Sequence, residues 1–384
     1  MGSLEDCHFM SRCLHLAARG RPAPNPFVGA VIVDDKSKKI IGEGFHRKAG
    51  EPHAEVEAIN DACRRLGRKR AHLLFPNSTL YVNLEPCNHF GRVPPCTKAI
   101  LKAGIGRVVF AMKDPNPKVK GGGEKELKKA GVKTVFGVLR SEAREINKAF
   151  VKHAKTGMPF VTLKMAQTAD GRFITRPDEP RWISGPQARL MVHRLRNQVG
   201  ALVIGIGTVL ADNPQLTTRL PGKEKGHDPL RVIIDPELRV PLNAKVLKDR
   251  NALVVCGQEA RAGEAKKRKE TLERKKKIEV WIVPDIKKRP AAQHGQLDLS
   301  AVLKHLGKCG TNHVLCEGGP SLAASFIEQK QADELMLFVA SKRRGKKYPP
   351  SPSELRLSRA ISKSMRTVLT QNVGNDLLVI GRQK

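Results

Sequence analysis

The stretch Pro52-His53-Ala54-Glu55-Val56, taken with Glu85-Pro86-Cys87 and Pro95-Cys96, decides how this chain is read. His53-Ala54-Glu55 opens a segment with helical spacing that runs to Leu66. Glu85-Pro86-Cys87 closes the strand-like run Thr79 to Leu84, and Cys96 opens the helical pattern Cys96 to Ala103. One histidine and two cysteines are ligands of suitable softness for zinc, and three protein ligands leave the fourth tetrahedral position to water, as in a catalytic site. Glu55, two residues beyond His53, can reach that water without ligating. It is expected to take the water's proton and deliver it to a ring nitrogen and then to the leaving ammonia. Two helix N-termini at the site favour thiolates and hydroxide. Each element is weak alone; their conjunction, in strand-helix context at both places, points to a zinc hydrolytic deaminase. Eight residues, Asn88 to Pro95, separate the cysteines where the usual signature has two, which narrows the family.

Outward from this site the chain alternates helical and strand-like segments. Leu4 to Arg19 is helical; Phe27 to Val33 and Lys39 to Phe45 read as a hairpin; Arg107 to Met112 is a strand, Lys125 to Ala130 a helix, Val132 to Val138 a strand, and Ser141 to Pro159 a helix followed by Thr156-Gly157-Met158-Pro159. A second series follows, with strands at Phe160 to Met165, Ala201 to Gly205, Leu230 to Ile234, Ala252 to Cys256, Glu279 to Val283, Asn312 to Cys316, Glu334 to Val339 and Asp376 to Ile380. Helical patterns lie at Gln187 to Gln198, Leu299 to Leu306 and Ser321 to Glu328. Both halves are α/β. The predicted boundary gives domains 1–149 and 150–384, in keeping with a length of 384 residues.

The net charge is +33, from 70 Lys and Arg against 37 Asp and Glu, and it first suggests nucleic acid. The excess is spread, however: +12 over residues 1–150 and +21 over the rest. Its concentrations, Lys266 to Lys277 and Lys342 to Lys347, lack the interleaved aromatics of single-strand binders and read as solvated surface. No apolar run approaches the ~20 residues of a membrane helix. Glu5, Asp6 and Arg12 interrupt the N-terminal apolar pattern, so no secretory signal is expected, and a cytoplasmic location follows, with eight cysteines left unpaired.

In the second half, Gly205-Ile206-Gly207 is half a dinucleotide motif, but Leu210 stands at the third glycine position. Glu317-Gly318-Gly319-Pro320-Ser321, between a strand and a helix, could offer backbone N–H groups to a pyrophosphate, or be a plain tight turn.

The run Glu85 to Cys96, with Asn25-Pro26-Phe27-Val28-Gly29, Gly50-Glu51-Pro52-His53-Ala54-Glu55-Val56 and Asp114-Pro115-Asn116-Pro117, resembles the deaminase half of the bifunctional riboflavin-biosynthesis deaminase/reductases. The resemblance implies a cytidine-deaminase-like three-layer fold and hydrolytic deamination of a 2,5-diamino-6-(ribosylamino)pyrimidinone 5′-phosphate. It nominates Asn25, His46, His89, Arg92, Asp114 and Asn116 as substrate contacts. Leu163 to Arg172, Trp182 to Gly185 and Thr208 to Thr217 resemble the reductase half of the same enzymes. That implies a dihydrofolate-reductase-like α/β domain in which NADPH reduces the ribosyl group to ribityl. Carried over by position, the cofactor contacts are Gln167, Trp182, Thr208, Asp212, Gly319, Pro320 and Ser321. The substrate contacts are Arg196, Leu216, Arg219 and Glu317, with Lys164 assisting proton delivery. Pro180 and Pro236 stand where relatives commonly carry a hydroxyl, and the segment after Ala340 departs from the family's pattern. The family's habit also implies self-association. Two competing readings are an editing deaminase with an RNA-binding surface and a deaminase with a non-catalytic second domain.

Overall fold

In a computed structural model, the described residues are 3–90, 94–116, 122–173, 183–222, 226–283, 297–343 and 349–384. The chain divides into two compact units, Met1–Gly157 and Met158–Lys384. The division falls later than the expected boundary near residue 150 because the helical segment before Gly157 is tied to the first unit. Asn147 is hydrogen-bonded to Phe27, and Phe150 lines a pocket with Asn25.

The first unit runs α1 (Leu4–Ala17), β1 (Gly29–Asp34), β2 (Ile40–Phe45), α2 (Ala54–Leu66), α3 (Arg68–Leu74), β3 (Ser78–Leu84), α4 (Cys96–Ala103), β4 (Arg107–Met112), α5 (Gly123–Lys129), β5 (Lys133–Phe136), α6 (Arg140–Ile146) and α7 (Lys148–Thr156). Its sheet has the order β2-β1-β3-β4-β5, antiparallel across β2-β1-β3 and parallel across β3-β4-β5. Every residue of β1 and β3 is buried, as expected where helices cover both faces of a sheet. Small residues bring α2 close to β2. A Cβ on Gly42 would fall 2.3 Å from the Ala58 carbonyl oxygen, and one on Gly44 would fall 2.4 Å from that of Ala54. That approach sets the start of α2, where His53 and Glu55 lie.

At the other end of the unit, Ser3 and Asp6 form a capping box on α1. The buried Asp6 carboxylate also accepts from Tyr81 Oη (3.0 Å) and from Arg107 (3.0 and 3.1 Å). Burial acts to raise the Asp6 pKa, but the Ser3 amide, Tyr81 and Arg107 outweigh it and hold the carboxyl below its usual range. A depressed folded-state pKa contributes stability above the unfolded value near 4, lost as the pH falls through the folded value. Asp6→Asn should therefore destabilise the first unit by about 2–4 kcal/mol at pH 7. In denaturant titrations the gap to wild type should narrow below about pH 4; a gap independent of pH would show that charge is not the cause.

The second unit runs β6 (Phe160–Thr168), α8 (Pro186–Arg196), β7 (Ala201–Gly205), α9 (Ile206–Asp212), β8 (Leu230–Ile234), β9 (Ala252–Cys256), α10 (Gly263–Arg274), β10 (Glu279–Ile282), α11 (Leu299–Lys308), β11 (His313–Cys316), α12 (Pro320–Glu328), β12 (Glu334–Ala340), α13 (Pro352–Ser364), β13 (Met365–Val373) and β14 (Asp376–Gln383). Among the described residues the sheet order is β10-β9-β8-β7-β11-β6-β12-β14-β13. It is parallel from β10 to β12, with β14 and β13 added antiparallel.

Three predicted strands, Ala201–Gly205, Leu230–Ile234 and Ala252–Cys256, have their observed limits. No element was assigned from the sequence at α3, α9, α10, α13 or β13, the last of which is exposed along nearly its whole length. The segment Ser141 to Pro159 is two helices, broken at Asn147, rather than one. Lys266 to Arg274 lies on α10, with Lys266, Lys267 and Arg274 exposed. Of Lys342 to Lys347, residues 344–347 lie outside the described residues. Among the described residues no helix is long and apolar enough to cross a membrane.

Candidate active sites

His53 occupies the N-cap position of α2, Cys87 follows β3, and Cys96 is the first residue of α4. Their ligand atoms all lie within 4.8 Å of one another. His53 Nδ1 is 3.1 Å from Cys96 Sγ and 3.5 Å from Cys87 Sγ, and the Cys96 N–H donates to Cys87 Sγ at 3.3 Å. A tetrahedron with zinc bond lengths has N···S edges of about 3.5 Å, so these three donors fit one face of a zinc site. Cys96 beside it, together with His53, holds the Cys87 thiol well below its ordinary pKa, against burial. Burial, and next the negative Cys87 sulfur, lift the buried Glu55 carboxyl to about 7, suited to a group that both takes and returns a proton near neutrality.

A cavity of about 330 Å³ collects His53, Glu55 and Cys87 together with Asn25, His46, His89, Asp114 and Asn116. Arg92 lies outside the described residues. Asp114 Oδ1 accepts from the Asn116 N–H at 2.9 Å, and burial raises the Asp114 carboxyl. His46 differs from the expectation that it would meet ribose or phosphate. Its Nδ1 faces the Pro52 carbonyl at 3.1 Å, its Nε2 faces Asn25 Nδ2 at 3.0 Å, and burial lowers its pKa. With both nitrogens engaged by the protein, His46 orients Asn25 and does not act as a cation. Phe150 and Glu85, which the sequence reading did not nominate, also line the cavity.

In the second unit a cavity of about 730 Å³ lies along the C-terminal ends of the central strands. It brings together Lys164, Thr208, Asp212, Glu317, Gly319, Pro320 and Ser321. Gly319 caps α12 without a side-chain hydrogen bond, which leaves the first N–H groups of that helix to a ligand. The two turns face each other, since a Cβ on Gly319 would stand 3.9 Å from Thr208 Oγ1. A cleft of this size, lined by the turn that opens α12 and by Lys164 and Glu317, has room for a cofactor-sized ligand.

Four nominated residues do not line this cleft. Arg196 spends its guanidinium on the Glu317 carboxylate (2.5 and 2.9 Å) and the Thr217 carbonyl (3.1 Å). It therefore holds Glu317 through two of its N–H groups. Leu216, at φ +56°, is buried in the core around β7 and β8. Arg219 is exposed, with its N–H donating to His193 Nδ1. Gln167 pairs in register with Val339 near the end of β6. Trp182 lies outside the described residues. Burial first and the Glu317 charge second act on Lys164 in opposite senses, and burial prevails, so its pKa is lowered. Arg196 and Lys164 together overcome burial to lower that of Glu317. Phe173, Pro236, Arg239 and Arg356 complete the cleft without having been nominated from the sequence.

The folds and sites define a two-centre enzyme: a zinc-deaminase unit followed by a reductase unit. Residues 4–112 match the family described as cytidine and deoxycytidylate deaminase zinc-binding region, and residues 159–379 match the RibD C-terminal domain. The chain belongs to the RibD family, the bifunctional deaminase/reductases of riboflavin biosynthesis, with zinc and NADPH as cofactors. It is 39% identical over 378 residues to the riboflavin biosynthesis protein RibD of Aquifex aeolicus, covering 97% of each chain. To that of Escherichia coli it is 38% identical over 351 residues, covering 88% of each. Among solved structures it is similar to Acinetobacter baumannii RibD (TM-score 0.77, 32% identity, 99% of each chain covered). It is equally similar to a diaminohydroxyphosphoribosylaminopyrimidine deaminase/5-amino-6-(5-phosphoribosylamino)uracil reductase of Thermotoga maritima (TM-score 0.77, 32% identity, 99% of each chain).

Proposed function

We propose that the first unit hydrolyses the 2-amino group from 2,5-diamino-6-(5-phosphoribosylamino)pyrimidin-4(3H)-one. The second unit then reduces the ribosyl group of 5-amino-6-(5-phosphoribosylamino)uracil to ribityl. The observation that carries this reading is the single cavity that gathers His53, Cys87 and Glu55 with Asn25, His89, Asp114 and Asn116. The Thermotoga relative, matched along its whole length, supports the choice of substrates.

His53, Cys87 and Cys96 would hold the zinc. A zinc ion there supplies a Lewis acid that makes water nucleophilic near neutral pH. Glu55 accepts a proton from the attacking water and returns it to a ring nitrogen. Glu55 next takes the proton of the new C2 hydroxyl and passes it to the amino group, which leaves as ammonia as the C2–N bond breaks and the C2 carbonyl forms. Asn25, Asp114 and Asn116 offer acceptors and a donor to the pyrimidine edges, and His89 is at hand for the sugar.

NADPH, when bound, supplies a hydride. As C1′ accepts it and the bond from C1′ to the ring oxygen breaks, that oxygen needs a proton. Lys164 is the acid placed to give it, its pKa lowered by burial and its ammonium steadied by Glu317. Gly319, Pro320 and Ser321 bind the pyrophosphate, and Thr208 and Asp212 border the same cleft.

A cytoplasmic location belongs to this reading, and it is supported by eight cysteines outside any disulfide, two of them given to the zinc. So does self-association: β13 is a nine-residue edge strand bearing exposed Val368 and Leu369, a surface that a second copy would cover.

Two measurements test the proposal. Incubation with the diaminopyrimidine phosphate alone should yield the deaminated product, and addition of NADPH should yield the ribityl product; an unchanged substrate overturns the reading. Elemental analysis should find about one zinc per chain and little in Cys96→Ser, whereas full zinc in that variant would remove Cys96 from the ligand set.

A further inference from the structure

Residues 113–158 fall between the two matched regions, 4–112 and 159–379, and look like a connection. Inside this segment α6 and α7 are separated by one residue, Asn147, at φ −102° and ψ 12°. Asn147 is 1% exposed. A buried amide at a broken helix has to find partners, since an unsatisfied polar group in the interior is destabilising.

Its partners lie 120 residues away: Asn147 Oδ1 accepts from the Phe27 N–H at 2.8 Å, and Asn147 Nδ2 donates to the Phe27 carbonyl at 3.0 Å. A second fully buried amide completes the clamp. Asn83 Nδ2 donates to the same Phe27 carbonyl at 2.9 Å, and Asn83 Oδ1 accepts from the Gly29 N–H at 2.8 Å. Phe27 precedes β1, so its peptide groups are held by these two side chains rather than by a neighbouring strand.

Two residues before Phe27 stands Asn25. Its Nδ2 is committed to His46 Nε2, and His46 Nδ1 to the Pro52 carbonyl. A carbonyl can only accept, so Nδ1 carries the ring proton, Nε2 accepts, and Asn25 turns its donor to His46. Asn25 Oδ1 then remains as an acceptor in the cavity. One turn beyond Asn147, Phe150 of α7 lines the same cavity. The α6-α7 junction thus fixes the depth of the Asn25 loop and supplies part of the wall behind it.

We infer that Asn147 is a positioning residue of the deaminase, which acts by holding the Asn25-Pro26-Phe27 loop so that Asn25 presents its side-chain oxygen to the substrate. The inference rests on the deaminase reading above and extends it to a segment that neither matched region covers.

The test uses the full-length protein and four variants: N147A, N147D, N25A and the double variant N25A/N147A. N147A should raise KM for the diaminopyrimidine phosphate by about 10- to 100-fold, the scale expected when a substrate contact is misplaced by about an ångström. Zinc content and NADPH-dependent reduction of the deaminated substrate should stay at the wild-type level. N147D retains the acceptor for the Phe27 N–H but not the donor to its carbonyl, and should fall between wild type and N147A. If N147A does not fold, N147D alone decides, by showing or failing to show a rise in KM at full zinc occupancy. In the N25A background N147A should add no more than about a twofold change, because coupled sites are not additive. The inference is overturned if N147A acts equally strongly with and without Asn25, or if its loss of activity follows loss of zinc at unchanged KM. Absence of deamination in the wild-type protein would overturn the underlying reading instead.

Discussion

Glu55→Gln lowers the rate of deamination by about 10²- to 10⁴-fold, the range that a positioned proton carrier contributes. Glutamine has nearly the shape of glutamate and keeps a carbonyl oxygen in place, but it cannot accept the proton of the attacking water or pass one to the leaving amine. Glu55 sits in the first turn of α2, buried beside the His53, Cys87 and Cys96 triad. Its carboxyl is lifted to about 7 by burial first and the Cys87 sulfur second, so both protonation states are accessible near neutral pH. Because Glu55 is not a ligand, the zinc content of the variant should equal that of the wild type. Because the reductase centre lies in a separate compact unit, NADPH oxidation with the deaminated substrate should continue unchanged. Following ammonia release and NADPH oxidation in parallel separates the two. Loss of both activities in a folded, zinc-loaded chain is the result that refutes two independent centres.

Glu317→Ala abolishes reduction and destabilises the second unit by about 3–5 kcal/mol, the scale for removing one partner of a buried ion pair. Arg196 reaches Glu317 through two N–H groups and is itself buried, while Lys164 faces the same carboxylate from β6. Removing Glu317 leaves the buried Arg196 and the partly buried Lys164 without their counter-charge. The Lys164 pKa, already lowered by burial, then falls further for want of the Glu317 charge. For a unit of this size the thermal transition should drop by about 10 °C, with deamination retained at temperatures below it. Arg196→Lys should show a partial form of the same defect, since an ammonium keeps the charge but not the paired geometry. Calorimetry together with both activity assays reads the outcome. A Glu317→Ala chain that melts like wild type and still reduces substrate would show that the pair is ornamental.

The parts of the two centres that could be read from the sequence share one property: their signals are local. His53 and Glu55 are two residues apart at the start of a helix, Cys87 follows a strand by three residues, Cys96 starts a helix, and Gly319-Pro320-Ser321 is a turn entering a helix. The strands of the second unit could be placed for a related reason. They are buried in a parallel sheet and so appear as short continuous apolar runs between polar turns. β13 carries no such run because it is an exposed edge strand.

Other features are properties of pairs that meet only on folding. The break between α6 and α7 is invisible in Ser141 to Pro159, where helical spacing continues through Asn147; at the break Asn147 turns to Phe27, 120 residues away in the chain. His46 reads as a candidate cation, yet burial and its contacts with Pro52 and Asn25 make it a neutral orienting group. Arg196 reads as an anion clamp for substrate, and in the structure three of its N–H groups go to Glu317 and Thr217.

By itself, then, the sequence singled out His53, Cys87 and Cys96 with Glu55 as one candidate constellation and Gly319-Pro320-Ser321 as a turn entering a helix, and it determined the α/β character of both halves, since short-range spacing and periodicity encode them. The tertiary structure alone decided which polar side chains face a ligand and which face the protein, and where the first unit ends. The physical reason is that a buried donor or acceptor must be satisfied. Its partner, chosen by packing across more than a hundred residues, determines whether the side chain remains free for chemistry.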